Sequence, residues 1–271
     1  DRGATATIGT NGSQSGLAWS CSDTYADGTS IWFGDEDSRP DRAVIETDDL
    51  PDDPWRGLTD FDYTGRAIAT GDIDSDGVDD LLVGTLDRDE GEVSLVYRPD
   101  VPDLVENAET VFTGDTVDDA FGSALLVADL DGDGAGEVIV GAPGNDDAAN
   151  RAGAVYIFGG QRWSGPADTG DADTIYTGPN SSAAAGTSLA AGDVDGDGHI
   201  DLVVGAPTDD TGSTDSGTVT LVYGTGTLPS GSHGLASEVP FTGVDATDQL
   251  GAALAVRSEE HTSELQSPCN L

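Results

Sequence analysis

The chain of 271 residues carries 52 acidic and 10 basic side chains, a net charge of −42, which makes nucleic acid and anionic membranes poor partners for its surface. Its two cysteines, Cys21 and Cys269, form no CxxC pair, so no disulfide framework is implied. No apolar run reaches the ~18 residues of a membrane helix, so no membrane insertion is expected.

In chain order, the first recognisable element is GTSIWFG at residues 28–34. Its apolar residues alternate, which predicts a half-buried strand. It is the one legible strand of residues 1–60, an incomplete first unit without an acidic loop. From residue 61 the pattern becomes regular. GDIDSDGVDDLLVGT at 71–85 is followed by ADLDGDGAGEVIVGAP at 128–143 and GDVDGDGHIDLVVGAP at 192–207. Each stretch is a carboxylate loop, D-x-D-x-D-G-x-x-[DE], that feeds a short aliphatic strand ending in glycine.

The loops read as cation sites. In the third, Asp193, Asp195 and Asp197 alternate with small or apolar residues, so three carboxylates point into one concavity. Gly198 supplies a sharp turn that a side chain resists. His199 offers its backbone carbonyl and Asp201 closes the set. The corresponding ligands are Asp72, Asp74, Asp76, Val78 and Asp80 in the first loop. They are Asp129, Asp131, Asp133, Ala135 and Glu137 in the second. An all-oxygen set at positions 1, 3, 5, 7 and 9 suits a hard cation such as Ca²⁺, and about three Ca²⁺ per chain are expected. The spacing begins like an EF-hand, but the closing acid stands at position 9 rather than 12, and no helix-forming sequence flanks it. Empty, the clustered carboxylates would repel one another.

The loops belong to a larger repeat. They start at Asp72, Asp129 and Asp193, and a glycine stands seven residues before each: Gly65, Gly122 and Gly186. Gly251 repeats it once more. After each aliphatic strand comes an alternating strand (GEVSLVY from Gly91, GAVYIFG from Gly153, GTVTLVYG from Gly217). An apolar-aromatic strand follows: TVFTG, TIYTG or VPFTG. Each unit of ~60 residues thus offers about four short strands and no helix signal. One unit cannot bury both faces of its sheet, so neighbours must stack. Tandem four-stranded units suit propeller blades; a β-solenoid, whose coils are usually shorter, is the competitor. Residues 257–271, RSEEHTSELQSPCNL, abandon the pattern where a fourth loop is due. They resemble translated sequencing adapter and are set aside as a foreign tail.

Phe121-Gly122, ADLDGDGAGE and VIVGAP together resemble the FG-GAP repeat of integrin alpha-subunit propellers and their prokaryotic relatives. The third unit is similar, with Ala185-Gly186 for Phe-Gly; the first departs further, with Thr64-Gly65 and Gly84-Thr85. The resemblance spans roughly residues 28–256. It implies an all-β, seven-bladed propeller with calcium in loops between adjacent strands of a blade. This chain would then be a fragment with about four partial or complete blades. It further implies an extracellular or cell-surface protein that binds a protein or glycan ligand.

The ten basic residues are all arginine, and Asp outnumbers Glu 41 to 11. Aspartate excess without lysine resembles the proteins of extreme halophiles, where salt screens a charge that would otherwise oppose compaction. No G-x-S-x-G or H-E-x-x-H is present, and lysine chemistry is excluded, so no enzyme is expected. His199 reads as a loop residue, and His233 has no partner motif. Trp32, Tyr156, Phe158 and Tyr223 fall on predicted strands and read as core. Trp19, Trp55 and Trp163 lie in irregular segments and are candidates for glycan contact. Asn11 and Asn180 head glycosylation sequons. The rival to a non-enzymatic adhesion module is the propeller part of a larger secreted enzyme acting on glycan or lipid.

Overall fold

The computed structural model describes residues 17–21, 30–34, 65–86, 90–97 and 108–256. The tail at 257–271, Trp55 and Asn11 lie outside them. The fold is all-β, and its sheets are the blades of a partial β-propeller. In chain order the strands are β1 (Leu17–Cys21), β2 (Ser30–Gly34), β3 (Ile68–Gly71), β4 (Asp80–Thr85), β5 (Glu92–Val96), β6 (Thr110–Thr113), β7 (Ala124–Ala128) and β8 (Glu137–Ala142). They continue with β9 (Ala154–Phe158), β10 (Ala167–Asp168), β11 (Thr174–Thr177), β12 (Ser188–Gly192), β13 (Asp201–Ala206), β14 (Thr218–Val222), β15 (Gly231–Gly234) and β16 (Val239–Thr242). The strand expected at 28–34 is β2, paired antiparallel with β1.

Each unit is an antiparallel meander: β3-β4-β5-β6, then β7-β8-β9-β11, then β12-β13-β14-β16. The aliphatic strands β4, β8 and β13 are buried along their whole length; β8 sends Val138 and Val140 into a cluster shared with the unit before and Ile139 into one shared with the unit after. The inner strands β3 and β7 are only half-buried. The period-2 strands were expected to be half-buried, yet β9 is buried at every residue. Its alternation sorts side chains between two cores rather than between core and water. Val155 and Ile157 join one cluster, Tyr156 and Phe158 the other. The cluster of Tyr156 and Phe158 spans units one and two, and that of Val155 and Ile157 spans units two and three.

Two features exceed the expected four strands. β10, which lies between β9 and β11 in sequence, leaves its own unit and pairs in parallel with β6 of the unit before. β15 does the same to β11. The second and third units therefore each staple the outer edge of their predecessor, which removes an edge open to further pairing. A single 3₁₀ turn follows each staple, at Thr169–Asp171 and Leu235–Ser237.

The recurring glycines have a specific use. Gly122 donates its N–H to the carbonyl of Gly141 at 3.1 Å, within its own unit. Its own carbonyl lies so close to Gly84 of the preceding unit that a Cβ there would sit 2.3 Å away. Gly141 meets the Gly186 carbonyl in the same way at 2.1 Å, and Gly205 meets that of Gly251 at 2.2 Å. Gly122, Gly186 and Gly251 all have φ between +84° and +92°, the left-handed region that favours glycine. The glycine after Phe, Ala or Leu (122, 186, 251) and the glycine near the end of the aliphatic strand (84, 141, 205) are the two halves of one stitch between adjacent units.

Candidate metal centre

Each carboxylate loop closes the turn between the two innermost strands of a unit. The residue pairs flanking the loops are Gly71↔Asp80, Ala128↔Glu137 and Gly192↔Asp201. Position 9 is therefore both the loop's last acid and a strand's first residue, which fixes it against the sheet.

The first acid wraps the loop around itself. Asp129 accepts N–H bonds from Gly132, Asp133 and Gly134 at 2.7–3.1 Å. Asp193 accepts the same three from Gly196, Asp197 and Gly198. Asp72 accepts from Asp76 and Gly77. Gly77, Gly134 and Gly198 all take positive φ, as the sharp turn requires. Position 4 does too: Gly132 and Gly196 occupy it in two loops, but in the first loop it is Ser75, at φ 57°. The position-5 acids Asp76, Asp133 and Asp197 each accept the N–H of position 7, from Val78, Ala135 and His199.

The closing acids are the buried ones. Asp80, Glu137 and Asp201 are at most 1% exposed. Each accepts an N–H from the second loop residue, from Ile73, Leu130 and Val194. Glu137 and Asp201 use their other oxygen to accept from Gly160 and Gly224, just past the third strand. Burial pushes the Glu137 carboxyl up to about 7, against the opposing pull of the Leu130 and Gly160 N–H groups. The second loop is thus a site where metal and proton would compete.

Three carboxylates converge in each loop, with candidate ligand oxygens all within 4.8 Å of one another. The trios are Asp72, Asp74 and Asp80; Asp129, Asp131 and Glu137; and Asp193, Asp195 and Asp197. The residues fit a hard cation on three counts. The donors are all oxygen. Each bonded carboxylate has lone pairs left after its backbone contacts. In the first loop Asp74 Oδ1 is buried without a hydrogen-bond partner.

Tyr156 and Phe158 are core, at 3% and 0% exposure, but Tyr223 is 46% exposed, because β14 ends at Val222. Trp163 is not a free platform for glycan. It is partly buried on Phe112 and Phe158, with centroid distances of 5.3 and 6.0 Å. Asn180 spends its side-chain nitrogen, the atom a glycan would take, on Asp209 and Thr211. His199 lies against Gly226, whose Cβ, if present, would be 2.7 Å from the ring. One participant went unread in the sequence: Arg162, from the second unit, pairs with Asp74 of the first loop and lies 4.3 Å over the Tyr97 ring. No local pattern joins residues 88 positions apart.

Residues 64–96, 121–158 and 185–222 each match the FG-GAP repeat. The chain is 30% identical over 234 residues to integrin alpha-PS2 of Drosophila melanogaster, covering 80% of this chain and 15% of that protein. It is 36% identical over 157 residues to integrin alpha-5 of Xenopus laevis, covering 53% and 15%. It is also 32% identical over 176 residues to the human phosphatidylinositol-glycan-specific phospholipase D, covering 59% and 20%. The chain therefore spans 15–20% of the length of these relatives.

Proposed function

From three FG-GAP repeats folded as adjoining propeller blades, we propose that the chain is a calcium-braced, non-enzymatic recognition module acting outside the cell or at its surface. The observation that carries this reading is the threefold repetition of one acidic loop at one place in the sheet. Each loop has its first acid committed to loop geometry and its last acid, buried, tied to the strand framework. Calcium would be held by Asp72, Asp74, Asp76, Asp80 and the Val78 carbonyl in the first loop. In the second it would be held by Asp129, Asp131, Asp133, Glu137 and the Ala135 carbonyl. In the third the set is Asp193, Asp195, Asp197, Asp201 and the His199 carbonyl. Bound there, the cation neutralises carboxylates that otherwise repel, and so favours the folded blade.

The similarity to integrin alpha subunits supports a protein ligand at a cell surface, a glycan being the alternative ligand, and the −42 charge disfavours nucleic acid. The same charge, with lysine absent, supports folding in molar salt. Similarity to a phospholipase D over 59% of the chain favours the second reading, a propeller serving a larger secreted enzyme on glycan or lipid.

The test is attachment of cells and glycan-coated beads to immobilised protein, with Ca²⁺ and with chelator, beside melting curves. For the parent and Asp195→Ala, attachment should track the folded fraction. An Asp195→Ala protein that melts like the parent in calcium yet fails to attach would make the loop a contact rather than a brace. Hydrolysis of a glycan or phospholipid by the purified chain would overturn the non-enzymatic reading.

A further inference from the structure

The two interfaces between complete units are built from equivalent strands but are not filled alike. Strand pairing fixes the equivalence. β10 meets β6 at Ala167↔Phe112, and β15 meets β11 at His233↔Tyr176, so Phe112 corresponds to Tyr176. On the next blade, Phe158 and Val222 both close their strands, opposite Val138 and Leu202.

In the first interface the Phe112 and Phe158 rings meet at 4.7 Å, tilted by 52°, and Trp163 contacts both edge-on. The indole N–H donates to the Gly159 carbonyl at 3.2 Å, and the Trp163 backbone N–H donates to the Tyr97 hydroxyl at 2.6 Å. Its neighbour Arg162 completes the closure by pairing with Asp74. An aromatic ring with an adjacent cation therefore plugs this interface.

In the second interface both parts of the plug are missing. Counting from the preceding strand or from the staple, Trp163 corresponds to Thr227 or Pro229. The apolar residue between them, Leu228, is the one that packs on the core. No Lys or Arg occurs in residues 223–238. Asp74 corresponds to Asp131. What remains is a cavity of about 250 Å³ whose apolar walls include Leu130, Ile157, Tyr176 and Val222. Tyr223, His233 and Glu238 also line it. The rings of Tyr176 and His233 stand 5.8 Å apart.

We propose that this cavity is a recognition pocket for an aromatic side chain with an adjacent basic residue, presented by a partner polypeptide. The proposal rests on the recognition reading above and deepens it by naming the partner's chemistry. The ring would enter where the chain places its own indole one interface earlier, against Tyr176 and Leu130. The cation would face Glu238 at the pocket mouth, in the role that Asp74 plays for Arg162. Aromatic walls and a carboxylate suit this pair, and the acidic surface would draw a cationic segment toward it.

The experiment is an NMR titration of the calcium-loaded chain with acetyl-Arg-Trp-amide. Saturable shifts at Tyr176, Leu228 and His233 are expected. Acetyl-Glu-Trp-amide and acetyl-Arg-Ala-amide should each bind about tenfold more weakly, a difference typical of one lost charge or one lost ring. Leu228→Trp supplies the missing plug and should abolish binding. Should that variant fail to fold, Glu238→Gln serves: it should weaken the Arg-Trp peptide several-fold and leave the Glu-Trp peptide unweakened. Equal binding of all three peptides, binding unaffected by both variants, or binding of a neutral disaccharide with no peptide binding would overturn the pocket. Lost peptide binding with calcium-dependent attachment intact sinks the pocket alone. Peptide binding with no attachment under any calcium condition sinks the recognition reading alone.

Discussion

The interface between the first and second units and that between the second and third share one skeleton and differ in their filling. Both carry the glycine stitch, Gly84 against Gly122 and Gly141 against Gly186. Both carry a parallel staple, β10 on β6 and β15 on β11. Yet the first is packed with Phe112, Phe158 and Trp163, and the second leaves a cavity of about 250 Å³ beside Leu228. The difference teaches that backbone contacts set how the units adjoin, while the side chains between them are free to vary. Packing at one interface can be given up for a pocket because the stitch does not depend on it.

The largest effect should come from the shared part. Gly141→Ala puts a Cβ 2.1 Å from a backbone carbonyl that cannot move aside. A loss on the order of 4 kcal/mol or outright failure to fold is expected, seen by circular dichroism. Gly84→Ala should be comparably severe. If either is tolerated, the stitch is not what joins the units.

The unshared part comes next. Trp163→Ala opens in the first interface the space that the second already has, and should cost about 3 kcal/mol. Leu228→Ala removes a smaller, half-buried group beside an existing void and should cost about 1–2 kcal/mol. Equal losses in chemical denaturation would erase the contrast between the interfaces.

A third effect separates the loops. Glu137 in the folded, metal-free chain titrates at about 7, above its ordinary 4.5, because it is buried. The raised value means that the folded state holds the proton more tightly than the unfolded state. Its ionisation therefore destabilises the fold as pH rises from about 4.5 to about 7, by up to about 3 kcal/mol in all, with no further loss above. Calcium binding at this loop should weaken as pH falls through the same range. Glu137→Gln should flatten the difference between melting curves at pH 5.5 and 8.5 in chelator. An unchanged difference would place the titration elsewhere.

The smallest effect compares the first loop with the other two. Ser75 holds φ 57° where they have glycine, and Cβ atoms at the equivalent Gly132 and Gly196 would touch nothing within 4 Å. The strain is therefore in the backbone alone. Ser75→Gly should stabilise the folded chain by ~0.5–1 kcal/mol, read as a small rise in melting temperature.

What the sequence revealed follows from what is periodic. The Asp-x-Asp-x-Asp-Gly spacing showed the loops, and the glycines at 65, 122, 186 and 251 marked the repeat, because each recurs in fixed register with a strand. The staples were invisible. Ala167–Asp168 is two residues long, Gly-Ser-His-Gly has no apolar alternation, and both pair through backbone alone. Tyr223 looked like core because it continues the alternation of Val219, Leu221 and their neighbours, but the strand stops one residue sooner. Trp163 looked free because its segment is rich in Gly, Ser and Pro; only the fold brings Phe112 to it. The period-2 signal in β9 was read correctly as a strand and wrongly as half-buried, since alternation alone does not say what covers the second face.

The central claim is that the three acidic loops are calcium braces. Calorimetric titration of the chelator-stripped chain in molar KCl tests it most directly. The account predicts about three Ca²⁺ sites, with dissociation constants on the order of 10⁻⁴–10⁻³ M as in extracellular modules, and a melting temperature that rises as they fill. A single site, Mg²⁺ binding equally well, or saturation with no change in melting would contradict it.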